Sequence, residues 1–350
     1  MIAWVPSVEP VSTITHDDRI GFTDSRQRAM TFASFFTIML RQMEGEGGTS
    51  EEGIGGADFT KTASDAGPKD GGGIVRASQM PEIAYAQSRF RPTEVPHEYG
   101  PNVHLLDDPL AWTQLAHLCA LETQQPAVGR LVRFLYEKLA HAVIAAELPR
   151  ARLDVPTRMV TSSPQAVVRG AGIARQTRVV TVGIARAGTM PSQVVYDLLN
   201  ELLDPSGVRQ DHLFMSRATD AHGRVTGATW HDAKIGRDVE GRVLLFPDPM
   251  GATGSSLVSA LDHYKTRLEG TPGRCITMHL IVTPEYLRNV LRAHPDTVIY
   301  ALRLDRGLSA DDVLATVPGT RWDDEKGLDG HQYIVPGAGG VGEILNNAWV

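Results

Sequence analysis

Four short runs of aliphatic and β-branched residues dominate the second half of the chain: VVTVGIA at 179–185, VLLF at 243–246, CITMHLIV at 275–282 and TVIYALRL at 297–304. None of them alternates strictly with polar residues. Each therefore reads as a strand buried on both faces, and such strands belong to parallel sheets covered by helices. The intervening segments suit that role. Residues 191–203, 255–268 and 284–294 carry apolar side chains at helical spacing, and 126–148, with Leu131, Phe134, Leu135, Leu139 and Val143 on one face, is a strong amphipathic helix. The alternation predicts an α/β fold with a parallel sheet flanked by helices, and ligands bound outside the carboxyl ends of the strands.

With 350 residues, 42% of them hydrophobic, the chain can bury one large α/β core or two modest ones. The composition of a folded domain begins near residue 95, so 96–350 is assigned to the main domain and 1–95 to an N-terminal extension. Within the extension, 45–73 is dominated by Gly, Ser, Asp and Glu and reads as a flexible linker. Ahead of it, Phe32, Phe35, Phe36, Met39 and Leu40 fall at helical spacing and suggest a segment that packs on a partner subunit or on the main domain.

A net charge of −7 without a long basic run argues against a broad nucleic-acid or anionic-membrane surface, while leaving room for phosphorylated small molecules gripped locally. Cys119 and Cys275 are far apart and read as two buried thiols in a reducing compartment. The start, MIAWVPSVEP, lacks the basic residues of a signal peptide, and the apolar stretch at 32–40 is too short to span a bilayer, so a cytoplasmic protein is expected.

Four loops could carry chemistry. FPDPMGATGSS (246–256) follows a buried strand and precedes a helix. Its glycines, Gly251 and Gly254, permit tight turns, and Ala252, Thr253, Gly254, Ser255 and Ser256 can aim successive N–H and hydroxyl groups at one phosphate. The plainer reading is a strand-to-helix turn with a serine N-cap. It is no Walker A loop, since the lysine is missing. In GIARAGT (183–189), Arg186 could direct its forked donors at a diphosphate, or simply face solvent at a strand end. FMSRATD (214–220) opens a polar hairpin, and YIVPGAGGVGE (333–343) is either a Pro-Gly turn closing the domain or a glycine-lined loop that lets backbone groups read a flat base.

Together, in this order, the four loops resemble those of the uracil phosphoribosyltransferases, a branch of the type I phosphoribosyltransferase fold. The likeness spans roughly residue 102 to the C-terminus. Asp248-Pro249-Met250 followed by Gly251-Ala252-Thr253-Gly254 is similar to the family's loop for 5-phosphoribosyl-1-diphosphate (PRPP), in which a single acid followed by proline marks the uracil branch. The resemblance implies that Arg186 belongs to the diphosphate loop and that Arg217 starts a mobile β-arm ending near Lys234. It gives Asp248, Arg186 and Arg217 catalytic roles, and Ile334, Gly339, Gly340 and Val341 the contacts to uracil. It also implies Mg2+, bound mainly through PRPP, and at least a homodimer; activation by GTP is left open.

The chain departs from the family at the chemistry. Gly340 stands where an acid is usual, Glu343 is the second acid, and Ile344 replaces a usual Arg or Lys. The acid-rich insertion at 309–332 offers Asp323, Asp324 or Glu325 as substitutes for the lost carboxylate. The expected reaction is attack by N1 of uracil on PRPP to give UMP and diphosphate, driven by positioning and electrostatics. Two alternatives remain: a phosphoribosyltransferase for another pyrimidine-like base, or a PRPP- or nucleotide-sensing homologue without turnover.

Overall fold

The computed structural model describes residues 83–350 except 220–224, 237 and 349–350, and omits the side chains of 217–219, 225–226 and 228. The helical pattern at 25–43 and the linker at 45–73 lie outside the described residues. In chain order the elements are α1 (Ile83–Gln87), β1 (Val103–Leu105), α2 (Pro109–Cys119), α3 (Ala127–Glu147), β2 (Arg150–Pro156), β3 (Val167–Ile173) and β4 (Val179–Ala185). There follow α4 (Thr189–Leu202), β5 (Val208–Thr219), β6 (Val225–Lys234), β7 (Val243–Pro247), β8 (Met250–Gly251), α5 (Ser255–Thr266) and β9 (Arg274–Val282). The chain closes with α6 (Pro284–Ala293), β10 (Val298–Leu304), α7 (Asp311–Leu314) and α8 (Val341–Asn346).

The main sheet runs β1-β10-β9-β7-β4-β5-β6, with the short β8 on β9. Every neighbouring pair is parallel except β5 with β6, which form an antiparallel arm. The buried runs divide by the strand period of two. Val243 and Leu245 face the side covered by α2, α3 and α4, whereas Leu244 and Phe246 face the side covered by α5 and α6. A separate antiparallel hairpin, β2–β3, has no counterpart among the elements expected from sequence.

Helix starts follow local chemistry. Thr283 caps α6 by accepting from the Tyr286 N–H, with Pro284 at the first helical position and Glu285 in the first turn. Helix α4 begins at Thr189, two residues ahead of the expected 191, because Pro191 sits in a first turn whose N–H groups have no intrahelical acceptor. Upstream, Val95 N donates to Leu105 O at 2.8 Å and Asp107 N to Thr93 O at 2.8 Å, tying the 93–95 strand-like stretch to β1. Cys275 is buried and its thiol is pushed up to about 11 by desolvation; Cys119 is half-buried, and both are free. Among the described residues no helix is long and apolar enough to cross a membrane.

This order fixes where a ligand can sit. From β4 the chain crosses to β5 on one side; from β7 it crosses to β9 on the other. The crevice of the sheet therefore opens between the carboxyl ends of β4 and β7.

Candidate active site

A cavity of about 500 Å³ occupies that crevice. The loop after β7 forms its floor, and its carbonyls are tied back into the protein. Pro249 O accepts from Leu280 N and Ile281 N at 3.1 Å each, Gly251 O from Thr283 N at 3.1 Å, Ala252 O from Thr283 Oγ1 at 2.7 Å, and Thr253 O from Asn289 Nδ2 at 2.8 Å. In a trans peptide the C=O and the following N–H point in opposite directions. Inward carbonyls at 252 and 253 thus turn the N–H groups of Thr253 and Gly254 away from that support, on the cavity side. Gly254, at φ 78°, is in the left-handed region and starts α5, whose first N–H groups add to the same positive end. Asp248, Met250, Ala252, Thr253, Gly254, Ser255 and Ser256 line the cavity, while Pro249 and Gly251 are buried behind them.

The loop after β4 forms one wall. Arg186 lines the cavity with its guanidinium already engaged: Nη2 lies 3.2 Å from Glu343 Oε1, and Nη1 donates to Ala348 O at 2.8 Å. From the arm, Met215 and Ser216 of β5 reach the cavity. Arg217 follows them in β5, opposite Ala228 of β6; its side chain lies outside the described set. Lys234, at the far end of β6, is exposed and 3.9 Å from Asp232. The root of the arm is held by Asp211, which accepts from Arg209 at 2.9 and 3.1 Å, from Gly236 N at 3.1 Å and from Tyr264 OH at 2.8 Å.

The C-terminal loop closes the opposite side. Asp305, buried at the end of β10, is paired with Arg303 and accepts from Gly337 N at 2.7 Å, while Gly307 N donates to Val335 O at 3.0 Å. So anchored, the loop brings Ile334, Gly339, Gly340 and Val341 to the cavity together with Gln332, Tyr333 and Glu343. A Cβ at position 340 would lie 2.5 Å from Glu343 Oε2, so the glycine is what leaves room for that carboxylate.

The insertion supplies no carboxylate here. Glu325 is buried against Tyr99 OH, Arg306 and Gly319 N; Asp323 pairs with Arg288 and Asp324 with Arg321. None of the three lines the cavity. The acids that line it are Asp248 and Glu343.

A family model described as uracil phosphoribosyltransferase matches residues 105–321. The chain is 30% identical over 246 residues to the uracil phosphoribosyltransferase of Burkholderia pseudomallei, covering 70% of this chain and 94% of that one. It is 27% identical over 245 residues to the uracil phosphoribosyltransferase of Variovorax paradoxus, covering 70% and 97%. The chain belongs to the uracil phosphoribosyltransferase family. It is an enzyme of the phosphoribosyltransferase type, with that family's fold. Among solved structures, the AQ2163 protein from Aquifex aeolicus superposes with a TM-score of 0.54 at 18% identity, over 71% of this chain and 99% of that one, a likeness of fold.

Several lining residues went unread in the sequence. Tyr286 comes from α6 and Met215 and Ser216 from the arm, elements whose inward faces depend on how they pack. Tyr333 opens the C-terminal loop as read from the sequence, and Gln332, one residue ahead of it, could have been included by extending that loop. The closeness of Gly340 to Glu343 is readable only once the loop's curvature is known.

Proposed function

We propose that this enzyme transfers the 5-phosphoribosyl group from PRPP to uracil, giving UMP and diphosphate. The observation that carries the reading is the convergence of four loops, far apart in sequence, on one cavity at the switch point of the sheet. The N–H groups of the 253–256 turn and the hydroxyls of Thr253, Ser255 and Ser256 hold the 5-phosphate. Asp248 faces the ribose hydroxyls, and Arg186, joined by Arg217 from the arm, receives the diphosphate. Ile334 and the 339–341 backbone hold the base.

In the reaction, the bond from uracil N1 to the anomeric carbon forms as the bond from that carbon to the diphosphate oxygen breaks. The N1 proton passes to solvent. Positive charge grows on the ribose near Asp248 while negative charge leaves towards Arg186, so both are met by fixed groups of opposite sign. Among the described residues no cluster of three or more His, Cys, Asp or Glu side chains could hold a metal. The cavity suits a Mg2+ ion whose ligands would come largely from PRPP, with Asp248 at hand while Glu343 is paired with Arg186. Such an ion neutralises charge on the leaving group.

The test is a nucleobase panel with PRPP and Mg2+, read as diphosphate release and nucleotide formation. Uracil should be the preferred acceptor. Turnover confined to another base would replace uracil in this reading, and PRPP binding without turnover for any base would replace catalysis by sensing.

A further inference from the structure

Beneath the phosphate loop lies a buried polar group, His279 with Tyr286, whose hydroxyl is also 3.3 Å from the buried Thr277 Oγ1. His279 of β9 is fully buried; its Nδ1 is 2.6 Å from the carbonyl of Asp248 and its Nε2 is 2.6 Å from the hydroxyl of Tyr286. A carbonyl only accepts, so Nδ1 carries the hydrogen and Nε2 accepts from Tyr286. Burial pushes the imidazole down to about 3, which keeps the ring neutral and this tautomer in place.

The peptide that His279 grips offers a single hydrogen-bonding group. Its nitrogen belongs to Pro249, which has no N–H, so the Asp248 carbonyl is the only hydrogen-bonding group of that peptide. The N–H of Asp248 donates to Met278 O at 3.1 Å on the preceding peptide, so His279 fixes the other backbone hydrogen-bonding group of the residue that carries the carboxylate. Tyr286 supports the rest of the loop: its ring carbon lies 3.1 Å from where a Cβ at Gly251 would be and 3.3 Å from one at Gly254. At the head of the same helix, Thr283 holds the Ala252 carbonyl at 2.7 Å.

We infer that His279 and Tyr286 are positioning residues for phosphoribosyl transfer, fixing the Asp248–Pro249 peptide and the floor of the phosphate loop and thereby setting affinity for the ribose 5-phosphate half of PRPP. This rests on the PRPP reading of the site. Neither side chain is needed to hold the diphosphate, which falls to the loop after β4. The two halves of PRPP should therefore respond differently to changes in the pair.

Three variants separate the contributions. In His279→Asn the amide nitrogen sits where Nδ1 was and can still donate to Asp248; in His279→Gln it is displaced towards Nε2 and cannot. Tyr286→Phe keeps the ring under the glycines and removes the hydroxyl. Calorimetric titration of each folded variant with ribose 5-phosphate, and separately with Mg2+-diphosphate, is joined to steady-state KM values for PRPP and base and to thermal melts. The Gln variant should weaken ribose 5-phosphate and raise KM for PRPP about tenfold, as expected for a lost buried hydrogen bond. Diphosphate affinity and KM for the base should stay within about twofold, and the Asn variant should recover to within about threefold of wild type. Tyr286→Phe should fall between them.

Equal weakening of both ligands, equal loss in Asn and Gln, or unchanged ribose 5-phosphate affinity in all three would overturn the inference. Should the histidine variants not fold, Tyr286→Phe decides it by the same two titrations. Wild-type protein that binds neither PRPP nor ribose 5-phosphate would overturn the PRPP reading itself, a different result from wild-type binding that the variants leave untouched.

Discussion

Arg186 is the sole cation among the described residues lining the cavity, and it is bound to Glu343. A diphosphate arriving there competes with that carboxylate. Both side chains are about one third exposed, so the pair is worth only ~0.2–1 kcal/mol, and its removal shifts affinity by at most about fivefold. Glu343→Gln is expected to tighten Mg2+-diphosphate by about two- to fivefold in a calorimetric titration. Gly340→Ala puts a methyl group against Glu343 Oε2, the far end of a flexible side chain, which swings clear and releases Arg186 in the same way. The two changes should not add. Weaker diphosphate binding in Glu343→Gln would mean that Glu343 assists the metal rather than competing for Arg186. The acid itself is plain in the sequence, but its approach to Arg186 spans 157 residues, and no local pattern announces it. His279 was hidden for a related reason: inside CITMHLIV it looks like one more member of a buried strand.

At the scale of elements, the four buried strands and the helices between them were legible because full burial on both faces demands continuous apolar runs. The β2–β3 hairpin was not. Every residue of β2 is exposed, so neither face had to be apolar and no period of two was imposed on the sequence. The arm made by β5 and β6 was visible as a polar hairpin, yet what fixes its base, Asp211, is a single buried carboxylate with donors from β5, from the segment after β6 and from α5. Removing a buried carboxylate from its arginine costs about 3–5 kcal/mol, while losing one neutral donor costs about 1 kcal/mol. Asp211→Ala should accordingly lower the melting temperature by roughly 10 °C and Tyr264→Phe by only a few degrees. If thermal melts show the two variants equally destabilised, the carboxylate is not what secures the arm.

The whole molecule places its clasp across the middle of the sheet. The loops proposed to hold the two ends of PRPP follow β4 and β7, adjacent strands whose side chains feed the cores on both faces. A ligand that spans these loops links parts of the fold that would otherwise separate on unfolding, so binding should register as global stability. A ligand at about 100 times its Kd adds about 2.7 kcal/mol, which for a domain of this size corresponds to a rise in melting temperature of roughly 5–10 °C. Mg2+-PRPP at saturation is expected to give that shift, with ribose 5-phosphate and diphosphate each giving a smaller one at matched concentration. In the proposed binding mode uracil alone touches only the C-terminal loop, which hangs on Asp305 at the end of β10, and should move the transition least. A melt in which uracil stabilises more than Mg2+-PRPP would place the main clasp at the C-terminal loop and remove the switch-point crevice as the principal binding site.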